Sequence, residues 1–367
     1  MDRDRLAEWF SRFAEVECGD LPLYDALSRS IAADDDLLEL LITAAPGQWR
    51  PMLLLAALHD IVLRHPDEAF SRLYPTVGGS MDARTDVMAL LRSFVEAHGD
   101  DIERLVTTRS TQTNEVNRSC LWFAALRAAA VDLADRPLAI IEVGASAGLN
   151  LGFDRYRYDF GDGEHRGRAE SAVRLRCEVR SGTPPLDVDL PPIVERFGLD
   201  LAPVDLADAV ERRWLKACIW SEQPERHERF DAAAGLTIAN PPRLVTDDLV
   251  DGIGDLIESC PDDAHVVVLN SWVLTYLPRD RRNAYDSVLD LVGSGRNLTR
   301  ISAEGEGVVD WVPAGVDGPT EHTVVGTTRW RNGERTEERT AVCHPHLAWI
   351  DWLAAGCGRP RQPSSEP

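Results

Sequence analysis

The densest chemistry in the sequence sits in one window, Ile140-Ile141-Glu142-Val143-Gly144-Ala145-Ser146-Ala147-Gly148-Leu149-Asn150. A short apolar run with β-branched residues predicts a buried strand, here Leu138 to Val143. The strand meets an acid, Glu142, and then a turn of small residues. Gly144 permits a tight turn, and Gly148 lets the following helix pack close to the strand. Ala145, Ser146 and Ala147 are small enough for a ligand to lie against the backbone. N–H groups at the start of the next helix would suit a carboxylate or phosphate. Glu142, Gly144, Ala145, Ser146, Gly148 and Asn150 are therefore candidate cofactor-binding residues. The spacing Gly144-x-x-x-Gly148 is not the G-x-G-x-x-G of dinucleotide-binding turns.

Other residues could carry chemistry. In Gln112-Thr113-Asn114-Glu115-Val116-Asn117-Arg118, Asn114 can cap a helix, and Glu115 and Arg118 then lie i, i+3 on one face. The pair is either a surface ion pair or part of a lid, with Glu115 as acid/base or ammonium partner and Arg118 as a carboxylate clamp. Tyr276 is either a core tyrosine or a residue that orients a nucleophile or shapes the acceptor pocket. Asn240-Pro241-Pro242 precedes a short strand and reads as a turn. His344-Pro345-His346 offers two imidazoles with no compatible further ligands nearby in sequence, which favours a structural turn over a metal centre. The seven cysteines include no C-x-x-C pair and are odd in number, so buried free thiols are expected, with no zinc framework. No metal site is expected.

These residues need elements to hold them. Up to about residue 135 the apolar spacing is helical: Leu54, Leu55, Leu58, Ile61 and Val62 share one face, as do Val87, Leu90, Leu91, Phe94 and Val95. Beyond Arg136-Pro137 the texture becomes α/β. Tyr156, Tyr158 and Phe160 alternate with polar residues, as do Val173, Leu175, Cys177 and Val179, which predicts a hairpin across Asp162-Gly163. Further strands are expected at Asp200–Leu206, Arg243–Thr246, His265–Asn270 and Leu298–Ser302. Asn332-Gly333 between two alternating runs signals a C-terminal antiparallel hairpin. The expected organisation is a helical N-terminal domain (1–135), an α/β domain with a mostly parallel sheet (136–358) and a loose tail (359–367).

The window around Gly144 resembles the first motif of the class I S-adenosylmethionine-dependent methyltransferases, with Ser146 where the middle glycine usually stands. The resemblance implies a Rossmann-like sheet and S-adenosylmethionine as cofactor. It also implies an acid after the second strand for the ribose hydroxyls, here Asp205, or Glu178 if the second strand ends near Val179. An acid after the third strand would meet the adenine amino group, here Asp247 or Asp248. Asn270 would lie near the reactive methyl. Taken together, Thr111–Arg118, Gly144–Leu151, Asp154–Tyr158, Leu269–Pro278 and His344–Trp349 resemble an uncharacterised prokaryotic family, a domain of unknown function with a methyltransferase-like core behind a helical region. The expected function is an S-adenosylmethionine-binding, methyltransferase-like enzyme. The alternatives are a non-catalytic S-adenosylmethionine- or nucleotide-binding regulatory protein and a dinucleotide-dependent oxidoreductase.

Composition narrows the partners. The chain has 367 residues, 61 acids against 39 Lys+Arg, and a formal net charge of −22. Lys216 is the one lysine. An acidic, lysine-poor surface suits a cytoplasm rich in salt, where screening relieves repulsion among carboxylates. It disfavours nucleic acid, which needs a basic face. A small-molecule substrate is expected. No apolar run reaches the roughly 18 residues of a membrane span, and the start has no signal-peptide pattern, so a cytoplasmic location is expected. Oligomeric state is open.

Overall fold

The computed structural model describes residues 2–45, 47–82, 86–131, 133, 136–309 and 322–353. Its helices, in chain order, are α1 (Arg3–Glu17), α2 (Pro22–Ala32), α3 (Asp35–Ile42), α4 (Pro51–Arg64), α5 (Val87–Thr108), α6 (Ser119–Ala130), α7 (Ala209–Ala217), α8 (Pro224–Ala239), α9 (Leu249–Glu258) and α10 (Arg279–Gly295). The strands are β1 (Leu138–Val143), β2 (Arg157–Asp159), β3 (His165–Gly167), β4 (Arg174–Arg176), β5 (Glu178–Ser181), β6 (Ile193–Asp200), β7 (Arg243–Thr246), β8 (His265–Ser271), β9 (Leu298–Gly305), β10 (Thr323–Arg331), β11 (Glu334–Cys343) and β12 (Trp349–Trp352).

The chain forms two compact units. The first takes Met1–Asn114 together with Asp205–Phe230. Its regular elements are helices. The Asp34 side chain accepts from the N–H groups of Asp36 and Leu37 and so caps α3. Pro51 opens α4 where its missing N–H costs nothing. Leu27, Ile31, Leu53, Leu55, Ile61, Leu91 and Phe94 are among its buried residues, joined by Trp214 of α7. The unit ends at Asn114, not at 135 as expected, because α6 joins the second unit, where Ser119 bonds Asn150; α7 enters the first unit from far along the chain.

The second unit takes Glu115–Val204 and Asp231–Pro367. It is built on a nine-stranded mixed sheet in the order β5-β12-β11-β10-β9-β8-β1-β6-β7. The run β7-β6-β1-β8-β9 is parallel throughout, and β10, β11 and β12 continue antiparallel. β1 is buried along its whole length, and β8 along all but its last residue. Both therefore read as continuous apolar runs. The β10–β11 hairpin turns at Asn332 and Gly333, both with positive φ, as an Asn-Gly turn requires.

Two expected elements are displaced. The strand expected at Asp200–Leu206 ends at Asp200 instead. Pro203 cannot donate to a ladder, which bars that segment from the sheet. The expected hairpin closes sooner: the Asp162 carboxylate accepts from Glu164 N–H and the chain reverses, so β2 pairs antiparallel with β3 and parallel with β4 in a separate three-stranded sheet. The six described cysteines are free, five of them buried. Cys357, the expected domain end at 358 and the tail lie outside the described residues. Among the described residues no helix is long and apolar enough to cross a membrane.

Candidate functional site

The small-residue turn sits at the carboxyl end of β1. Gly144 (φ 72°) and Gly148 (φ 69°) use the left-handed region that glycine adopts freely, but Ser146 (φ 51°) is held there too. What holds it is Asp200, the last residue of β6. Asp200 Oδ2 accepts from Ser146 N–H at 2.8 Å, and Oδ1 accepts from Ala202 N–H at 2.9 Å. The Ser146 carbonyl in turn accepts from Val204 N–H at 3.1 Å. The turn leads into a 3₁₀ segment, Leu149–Arg155, in place of the expected helix. Asn150 is buried there, its Oδ1 accepting from the Ser119 hydroxyl at 2.8 Å.

Both glycines are closely covered. A Cβ on Gly148 would stand 2.6 Å from Pro242 Cγ, so the Asn240-Pro241-Pro242 segment packs the turn. A Cβ on Gly144 would stand 2.7 Å from Val273 Cγ2. Ala145 and Ala147 are buried.

Glu142 points from β1 into a buried setting that raises its pKa to about 8. Burial is the main cause; the Trp122 indole and the Arg118 charge oppose it, and Asp200 adds a little to the rise. Its Oε2 has no hydrogen-bond partner among the described residues. Around Arg118, whose charge acts on Glu142, two distant stretches of sequence meet. Glu115 Oε1 accepts from Asn117 N–H at 3.0 Å, and Glu115 Oε2 lies 3.5 Å from His346 Nδ1. Asn117 Nδ2 donates to the carbonyls of Arg176 and Leu347, each at 2.9 Å. Arg118 Nε donates to the Pro345 carbonyl at 3.2 Å. The expected Glu115–Arg118 helix face is thus replaced by a 3₁₀ turn, Val116–Arg118, whose side chains hold the His344-Pro345-His346 turn. That turn is closed by His346 N–H donating to His344 Nδ1 at 3.1 Å.

At the end of β8, Asn270 is fully buried and donates to Ser302 Oγ at 2.7 Å and to Glu304 Oε1 at 3.0 Å. Glu304, on β9, also accepts from the N–H groups of Val273 and Leu274, each at 3.2 Å. Burial raises its pKa. The carboxylate thereby pins the loop that carries Val273 onto Gly144. Tyr276, on the same loop, is 63% exposed, so it is not a core tyrosine.

The acids expected from strand order fall differently. Asp205 belongs to the first unit and is exposed, its Oδ1 accepting from Ala207 N–H. Glu178 begins β5 at the far edge of the sheet from β6. The acid that ends β6, the strand paired with β1, is Asp200. The signal was legible only once Pro203 is read as barring a strand. Asp247 follows β7 directly, and its N–H donates to the Asp200 carbonyl at 3.1 Å. Asp248 is committed elsewhere: it caps α9 and pairs with Arg281. Glu304 was missed because an acid inside a strand carries no local signature of a buried cap.

The class is thus a mixed α/β protein whose large, mostly parallel sheet bears a glycine turn and three acids, Glu142, Asp200 and Asp247, at the carboxyl ends of adjacent strands. The chain belongs to a family of uncharacterized proteins conserved in bacteria, DUF2332, whose model matches residues 7–352. No curated protein matches it.

Proposed function

We propose that the second unit binds S-adenosylmethionine at the carboxyl ends of β1, β6 and β7, and that the protein is a methyltransferase-like enzyme acting on a small-molecule acceptor. The observation that carries this reading is the convergence of Glu142, the Gly144–Gly148 turn, Asp200 and Asp247 on one edge of a parallel run ordered third, second, first, fourth, fifth. That is the order of a Rossmann-like sheet, in which ligands lie beyond the strand ends near the switch point. We take the helical first unit as an accompanying domain and the cytoplasm as its setting.

The donors fit the cofactor in part. A carboxylate such as Asp200 keeps lone pairs after accepting one amide on each oxygen, so it can still take hydrogen bonds from a vicinal diol. Asp247 would meet the adenine amino group. The amides of Gly144, Ala145, Ser146 and Gly148 already donate within the unit, so the methionyl part would lie against the small side chains of the turn. When bound, the sulfonium supplies an activated methyl group. Glu142, mostly neutral at pH 7, would leave the turn without a further negative charge beside Asp200. Glu115, 3.5 Å from His346 Nδ1, would be the acid that moves a proton from an acceptor.

One observation favours a second reading, a non-catalytic binding protein: Val273 packs directly on Gly144. Calorimetry at high salt with S-adenosylmethionine, S-adenosylhomocysteine and NAD separates the readings. Saturable binding of both sulfur compounds is expected. Asp200→Asn should weaken it by about tenfold or more, as loss of charge-assisted hydrogen bonds implies. Binding of neither sulfur compound, or of NAD alone, overturns the proposal. Tight binding with no turnover on a broad acceptor panel, and tighter binding in Val273→Ala, favours the second reading.

A further inference from the structure

The first unit holds a cluster of three metal-ligating side chains. His65 caps the C-terminal end of α4, Glu68 follows three residues later, and His98 lies within α5. His98 Nε2 is 3.0 Å and 3.1 Å from the two carboxylate oxygens of Glu68. His65 Nδ1 is 3.6 Å from Glu68 Oε1. One ligand atom from each residue lies within 4.8 Å of the others. We propose that His65, Glu68 and His98 bind a divalent transition-metal ion that ties the end of α4 to the middle of α5.

The donor set argues for the class of ion. Two imidazole nitrogens and one carboxylate oxygen suit zinc and its first-row neighbours, whereas magnesium and calcium favour all-oxygen shells. Bonds of about 2.0–2.1 Å in a tetrahedral shell hold donors about 3.3–3.4 Å apart. The two His–Glu separations lie on either side of that value and the two imidazole donors lie within 4.8 Å of each other, so side-chain rotations can close the shell. Those rotations are open to His65 and Glu68, whose side chains are 40% and 39% exposed. His98 is the fixed member. It is 13% exposed, its ring centre lies 4.7 Å from that of Phe94, and Phe94 packs in turn on Phe70 at 4.5 Å. The backbone of α5 leaves helical geometry at His98 itself (φ −125°, ψ 15°), so the ion would sit where the helix bends. The nearby cation, Arg64, pairs with Asp60 at 3.2 Å and Asp101 at 2.8 Å. Its charge is thereby matched and does not oppose an incoming ion. The fourth position is left to water.

The test uses the untagged full-length protein after chelation and dialysis. Titration with Co²⁺ should give visible d–d absorption that saturates at one equivalent and is bleached by Zn²⁺. The ion should raise the melting midpoint of the wild type. Glu68→Gln and His65→Ala change part-exposed side chains, so their metal-free melting midpoints should match the wild type while Co²⁺ affinity falls by at least about tenfold, the lower bound for losing a metal's supporting ligand interactions. If His65→Ala fails to fold, Glu68→Gln alone decides. Absence of saturable d–d absorption in the wild type overturns the proposal. So does binding in Glu68→Gln equal to that of the wild type.

Discussion

Glu142 shows what a single buried carboxyl does to the stability of its unit. Its pKa stands at about 8 in the folded chain, against about 4.3 for a free glutamate. Between these values the folded state holds a proton that the unfolded state has released. Stability therefore falls as pH rises through this window, by up to about 1.4 kcal/mol per unit. Glutamine mimics the protonated carboxyl, so Glu142→Gln should flatten that slope and leave the protein more stable than wild type at pH 9. Urea midpoints from pH 5 to 9 check this, and equal slopes in both proteins would refute it. His59 acts in the opposite sense. Burial, with His227 and Lys216 nearby, lowers its pKa to about 3. The imidazole is held neutral between the Ala217 carbonyl and the Thr76 hydroxyl. Its contribution is present above about 6.5 and is lost as pH falls towards 3.

At the scale of elements, the loop after β8 depends on Glu304. Without that carboxylate, the N–H groups of Val273 and Leu274 and one donor of Asn270 lose their acceptor in a buried place. Glu304→Ala should cost about 2–4 kcal/mol, the range for stranding buried donors, and should speed amide exchange at Leu274 and Thr275. A change below about 0.5 kcal/mol in denaturant unfolding would show that the loop is held otherwise. The same elements show how much could be read from residue types alone. β1, β8 and the β10–β11 hairpin were legible because uninterrupted apolar runs and an Asn-Gly turn have local causes. β6 was not, because Glu195 and Arg196 break its apolar pattern; Arg196 is satisfied by Asp154 and the Leu151 carbonyl, contacts that exist only after folding. The glycine turn was legible, but its covering residue, Val273, comes from another strand's loop. The metal-ligand cluster was also hidden, since His98 on α5 reaches Glu68 in the turn after α4 at a sequence separation that no motif encodes.

For the whole molecule, charge sets the conditions. With 61 acids against 39 Lys+Arg, the surface repels itself in dilute buffer. We propose that the chain is adapted to salt. Raising KCl from about 0.1 M to about 1 M shrinks the screening length from about 10 Å to about 3 Å. The melting midpoint should climb by several degrees across that range, and a flat or falling midpoint would refute adaptation. The first unit also has an unusual genealogy. His59 is closed by the carbonyl of Ala217, Trp214 joins the apolar residues of α1 to α5, and Glu222 accepts from the N–H groups of Leu23 and Tyr24. On the ribosome this body must wait, incomplete, while β1 to β6 are synthesised, until Phe230 has emerged. A message cut short before that codon would yield two unfinished bodies, and no single protease cut could release either one whole.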